Sequence, residues 1–271
     1  MLKSADDVRL VDDVDELRRF LLKDPISRAY QLGDLGDAYF PYTTWYASGG
    51  SDDIRSLLLV YTGLSLPVMI SVGETEGVAA ILEQYGNELP GRAMLHMQPE
   101  HLEAVDRDFA CESLRPMLRM GMNLEDFRPV ESDGPLEINQ LSMGDIGEII
   151  ALYHHYPDNF FEPAQLSTGH YYGIRTRGKL VSVAGVHVFS AKAKVACLGN
   201  IVTHPEQRGR GLSTMCTSHL CGQLARAGTD VFALNVDRHN TSAVRVYRKL
   251  GFHEHATYVE GEVTAPLRRS R

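Results

Sequence analysis

The sequence has no run of residues apolar enough and free enough of charge to span a bilayer, so no membrane-spanning helix is expected. Asp6, Asp7, Asp12 and Asp13 arrive before any apolar run, so no secretory leader is expected and a cytoplasmic location is. It has no basic excess. Lys and Arg number 27 against 35 Asp and Glu, a net charge of −8, so neither a nucleic-acid nor a membrane partner is expected. It is poor in cysteine. Cys111, Cys197, Cys216 and Cys221 lack a paired metal-ligand spacing, so reduced, mostly buried thiols and no metal are expected.

What is present is a globular composition. Hydrophobic residues make up 44% of the 271, enough to fill the core of one large domain or two ordinary ones. In the first half, Val14, Leu17, Phe20 and Leu21 fall at helical spacing, and Pro25 ends that helix. The turn Asp24-Pro25-Ile26-Ser27 opens a second helix that ends near Gly33 or Gly36. Strands are expected over 43–47, 56–61 and 68–72, a helix over 74–85, a strand over 93–97 and a helix over 99–108. Pro129, Glu131, Ser132, Asp133, Gly134 and Pro135 mark a boundary, dividing the chain into units 1–130 and 136–263.

After it comes a strand over 138–141. A helix follows from Ser142, with Ile146, Ile149, Ile150 and Tyr153 on one face, and then a short helix over 164–167. Three antiparallel strands are expected over 171–175, 180–189 and 194–202, and residues 266–271 read as a frayed basic tail.

Residues 198–252 organise the rest. An apolar segment ending in Val202-Thr203-His204-Pro205 runs into Arg208-Gly209-Arg210-Gly211-Leu212-Ser213, and a helix to Arg226 follows. Strand, Gly-rich turn and helix together make an anion site. Backbone N–H groups converge, the helix dipole adds positive charge, and glycines let a phosphate approach. A Walker loop needs Lys and Ser/Thr after its second Gly, where Leu212 stands. A dinucleotide fingerprint needs a third Gly at position 214, which is Thr214; Asp237, near the end of the next strand, keeps that reading open.

The turn resembles that of the GCN5-related N-acetyltransferase (GNAT) superfamily, Gln/Arg-x-x-Gly-x-Gly/Ala, departing from it where Ser213 replaces the final Gly or Ala. A second motif of that family, Asn-x-x-Ala-x-x-x-Tyr-x-x-x-Gly-Phe, is matched in register by Asn240, Ala243, Tyr247, Gly251 and Phe252. The resemblance covers residues 136–263 and looks closest to the ribosomal-protein N-terminal acetyltransferases. It implies an α/β fold with a mixed sheet. The first half echoes the same order of elements, so a degenerate copy of that fold is expected there. Its loop Ser71-Val72-Gly73-Glu74-Thr75-Glu76-Gly77 places carboxylates where phosphate needs positive charge.

The resemblance also implies the chemistry, in which acetyl-CoA is the cosubstrate and a small amine, amino acid or peptide the acceptor. The backbone of Ile201, Val202 and Thr203 pairs with the coenzyme arm. Gly209, Arg210, Gly211, Leu212, Ser213 and Thr214, with Arg208, hold the pyrophosphate. Asn240 bonds the coenzyme, and Tyr247 is the acid toward the departing thiolate. Gly251 and Phe252 are read as a helix end and a core aromatic. Asn235 and Cys197 stand where relatives carry a basic Glu. Asn235 cannot take a proton, though it can orient a water or the amine. His187, Glu162, Asp158 and His204 are the other candidate bases, and a water chain is the alternative to all of them. Three classes stay open: an N-acetyltransferase, an acyl-CoA-binding sensor with reduced turnover, and a nucleotide-dependent oxidoreductase. The oligomeric state is not legible.

Overall fold

The computed structural model describes residues 7–265 except 52, 108, 132–135 and 158. The expected tail at 266–271, most of the expected linker and Asp158 lie outside the described residues. Contacts divide the chain into two units, one running to Leu118 and resuming at Ala256, the other Arg119–His255.

The first unit opens with β1 (Val8–Leu10) and α1 (Val14–Leu21). Asp13 caps α1 by accepting from the N–H groups of Asp15 and Glu16, and Leu17, Phe20 and Leu21 turn inward. Next come α2 (Ala29–Asp34), β2 (Thr43–Gly50), β3 (Asp53–Tyr61) and β4 (Val68–Gly73). They are followed by α3 (Thr75–Tyr85), β5 (Arg92–Met97), α4 (Leu102–Val105) and β6 (Ala110–Asn123). β1 to β4 pair antiparallel in sequence. The chain then crosses through α3, and β5 runs parallel to β4. Val78, Ile81 and Leu82 of α3 pack on Leu58, Met69 and Leu95 of the sheet, each such side chain contributing about 1.5–3 kcal/mol by leaving water.

The second unit repeats this order. It comprises β7 (Ile138–Gln140), α5 (Ile146–Tyr153), a 3-10 turn over Pro163–Thr168, β8 (Tyr172–Thr176), β9 (Lys179–Ser190) and β10 (Val195–Thr203). Then come α6 (Leu212–Arg226), β11 (Val231–Asp237), α7 (Thr241–Leu250) and β12 (His253–Thr264). β7 to β10 pair antiparallel, and β11 runs parallel to β10 across α6. Each unit is thus strand, two helical segments, three antiparallel strands, helix, parallel strand, helix, strand.

Four features differ from the sequence reading. The division passes through β6 and β12, not through 128–136, because residues 259–264 of β12 form an antiparallel ladder with β5. β6 was not expected: its Pro116, its three methionines and its lack of β-branched residues give no strand signal. Ile150 points outward at 42% exposure, and Ile149, Leu152 and Tyr153 form the buried face of α5. The helix expected over 99–108 is a 3-10 turn at Pro99–His101 followed by the single turn of α4.

Candidate active site

The parallel ladder between β10 and β11 pairs Val195 with Val231 through Leu198 with Leu234 and stops there. β10 continues to Thr203 and β11 to Asp237, so residues 199–203 and 235–237 border an opening between two strands. The cause lies in β10. Its register against β9 shifts between Gly199 and Val202, and Asn200 adopts a left-handed φ of 54°.

Buried polar groups hold this bulge in place. Tyr153 OH donates to Asn200 O at 2.7 Å, and Asn200 Nδ2 donates to Gln165 Oε1 at 2.9 Å and to Tyr171 OH at 2.8 Å. Gln165 Oε1 also accepts from the Glu162 N–H. Its Nε2 therefore faces His187 Nδ1 at 3.2 Å, and the ring nitrogen must accept. His187 is the Nε2–H tautomer, with its lone pair already engaged, which counts against it as a base. Position 199 must be glycine for this ring to fit, because a Cβ there would lie 1.9 Å from His187 Nε2.

Beyond β10 the chain makes the Gly-rich turn. Gly209 and Gly211 take φ of 77° and 75°, and Gly211 starts α6 with no side-chain cap. The N–H groups of Leu212, Ser213 and Thr214 therefore lie outside the helical ladder at the positive end of the dipole. Leu212 and Thr214 are buried, and Arg208 and Arg210 are exposed. Arg208 Nη2 donates to Tyr156 OH at 2.8 Å, and Tyr156 OH donates to Thr203 O. Thr203 O is thus taken by a side chain, and Val202 O accepts from Ser182 Oγ at 3.1 Å. Of the expected 201–203 backbone, Ile201 lies within the bulge.

The remaining expected residues sit on β11 and α7. Asn240 is the N-cap of α7, its Oδ1 accepting from the Ala243 N–H at 3.1 Å, which leaves Nδ2 as the group able to reach a ligand. Tyr247 is buried against Phe252, with ring centroids 5.9 Å apart, and its hydroxyl makes no hydrogen bond among the described residues. Burial raises its pKa, with Cys221 nearby adding to the effect, so the phenol holds its proton at neutral pH. Gly251 closes α7 at φ 106°, and Phe252 is fully buried. Asn235 Oδ1 accepts from Arg119 Nε at 2.6 Å. His204 Nδ1 accepts from the Glu206 N–H, and Glu162 caps the Pro163–Thr168 turn. Cys197 is buried in β10, and burial holds the Cys216 thiol up to about 12. Among the described residues no group of His, Cys, Asp and Glu is arranged to hold a metal. Arg119, Tyr156 and Gln165 were not anticipated, and neither was the role of Asn200 in holding the bulge.

The corresponding place in the first unit is closed by the unit's own side chains. The Gly73 N–H, at the end of β4, donates to Gln98 Oε1 at 3.1 Å. His101 Nε2 donates to Gly73 O at 3.1 Å, and Ser71 Oγ donates to His101 Nδ1 at 2.7 Å. Glu74 precedes α3, facing Arg55 at 3.7 Å, where the second unit has Gly211.

Residues 139–252 match the acetyltransferase (GNAT) family model. Solved structures are also similar to the chain, GNAT proteins among them. A Drosophila protein is 16% identical over 96% of this chain and 99% of its own, with a TM-score of 0.72. A GCN5-related N-acetyltransferase from Sphaerobacter thermophilus is 15% identical over 98% of both chains, at 0.62. A tandem GNAT protein from the clavulanic acid biosynthesis pathway is 12% identical over 97% of this chain and 100% of its own, at 0.58. At these identities the likeness is one of fold, a mixed α/β architecture with two GNAT-like units. No curated protein matches the chain in sequence. Among the described residues no helix is long and apolar enough to cross a membrane.

Proposed function

We propose that the second unit transfers an acetyl group from acetyl-CoA directly to a primary amine of a small molecule, amino acid or peptide. The observation that carries this reading is the early end of the β10–β11 ladder, together with an uncapped helix N-terminus at the turn leaving β10. The residues fit the coenzyme, since the turn offers an anion several N–H donors and two arginines, and the opened strands offer an amide backbone partners. When bound, acetyl-CoA supplies the thioester that is the acyl donor.

In this reading the backbone from Gly209 to Thr214 holds the pyrophosphate, Arg208 and Arg210 add charge, and Asn240 Nδ2 donates to the coenzyme. Ile201 is the bulge residue that faces the acyl arm. Tyr247 carries the proton for the departing thiolate. Asn235, held by Arg119, orients the amine or a water. Asn235 cannot take a proton, so this position supplies no base for the acceptor amine. His187 and His204 have their Nδ1 lone pairs engaged, so the amine reaches its neutral form through solvent, and turnover rises with pH toward the amine's own pKa.

The test is thiol release from acetyl-CoA across a panel of primary amines, with Tyr247→Phe beside the wild type. The reading expects release with at least one amine, and a Tyr247→Phe kcat lower by about a hundredfold with little change in KM. No release above thioester hydrolysis with any amine contradicts it.

A further inference from the structure

The end of α5 is tied to the exit of β10. Tyr153 OH donates to Asn200 O at 2.7 Å, and Tyr156 OH donates to Thr203 O. Between those two contacts the His155 ring meets the His204 ring edge-on, with centroids 4.5 Å apart. Tyr156 is thus held in place by the strand that leads into the Gly-rich turn.

Tyr156 makes a second contact through the same hydroxyl. Its proton goes to Thr203 O, so its oxygen is left to accept, and Arg208 Nη2 donates to it at 2.8 Å. The guanidinium also lies over the Tyr156 ring, 5.4 Å from the centroid. Elsewhere in this unit arginines are paired with carboxylates, Arg175 with Asp145 and Glu148, and Arg248 with Glu254. Arg208 is held by a neutral oxygen instead. It is exposed, and it keeps both its charge and most of its N–H donors for an outside anion. An arginine free in solvent gives up rotamer freedom when it grips an anion, which weakens binding. Arg208 is ordered beforehand, by a side chain that is itself anchored.

We propose that Tyr156 is a positioning residue for the phosphates of the coenzyme: its hydroxyl holds the Arg208 guanidinium beside the turn 209–214, ready for the anion. The proposal rests on the acyl-CoA reading of that turn. Tyr156 acts through Arg208 and does not itself touch the ligand.

The test is calorimetric titration of the full chain with CoA, arranged as a double-variant cycle. Tyr156→Phe keeps the ring and its packing and removes only the hydroxyl. It should weaken CoA binding about fivefold, and Arg208→Gln about tenfold or more. The double variant should bind no more weakly than Arg208→Gln alone, because the hydroxyl then has no guanidinium to hold. A role confined to tying Thr203 would weaken binding equally in both backgrounds. CoA that fails to bind the wild type overturns the acyl-CoA reading, and this proposal with it. CoA that binds the wild type, but binds Tyr156→Phe or Arg208→Gln as tightly or more tightly, overturns this proposal alone. So does a Tyr156→Phe loss that persists at full size in the Arg208→Gln background.

Discussion

Arg119 donates from Nε to Asn235 Oδ1 at 2.6 Å, and its side chain has no exposed surface. The two residues lie on neighbouring strands of the second unit, β6 and β11, and Asn235 is the first residue of β11 past the end of its ladder with β10. The guanidinium therefore fixes the carboxamide at the mouth of the opening. Arg119→Met should cost about 1 kcal/mol by removing this donor from a half-buried acceptor, and Asn235→Ala a similar amount. In urea denaturation the double variant should fall short of the sum by about 1 kcal/mol, and strictly additive losses would contradict the coupling.

The closure in the first unit predicts a separation of effects. His101→Ala removes a donor from Gly73 O, which is half-buried, and an acceptor from Ser71 Oγ, which is buried. It should destabilise the protein by about 1–3 kcal/mol while leaving acetyl-CoA affinity unchanged. A large loss of coenzyme affinity with intact folding would place coenzyme in the first unit instead.

Asp34 predicts a pH dependence. Its carboxyl ionises near 4 in the unfolded chain and at about 8 in the folded one. The unfolded state thus releases this proton first, so the contribution is most favourable below pH 4 and is lost as pH rises from about 4 to about 8. Asp34→Asn should therefore raise Tm more at pH 8 than at pH 5, with a gain on the order of a few kcal/mol at the higher pH. Equal shifts at both values would show that the carboxyl is not buried unpaired.

Gly199 predicts a rescue. Gly199→Ala sets its new methyl against the His187 ring and should cost about 1–3 kcal/mol. Adding His187→Ala should recover part of that loss in thermal unfolding. An additive double variant would mean that the ring is not what requires glycine.

The sequence made the second unit legible where a residue's type is dictated locally. Gly209 and Gly211 need left-handed backbone, Asn240 caps α7, and Gly251 ends it. Residues 43–47 and 68–72 read as strands because their apolar, β-branched and aromatic residues suit a pleated surface, and they lie within β2 and β4. β6 was invisible because its neighbours in the sheet, not its own side chains, make it a strand. Asn200, Gln165 and Tyr156 were missed for the same reason. Each makes its contacts with partners far off in sequence, which no local pattern foretells. The acceptor amine was not legible because no single residue at the opening dictates it.

The central claim is that the opening between β10 and β11 and the turn into α6 together hold acetyl-CoA. Thermal unfolding with and without acetyl-CoA, with NAD as the control, tests it most directly. At about 100 times its Kd, the coenzyme should stabilise the folded chain by about 2.7 kcal/mol, and NAD should leave Tm unchanged. No shift with acetyl-CoA, or a shift with NAD in its place, would contradict the account.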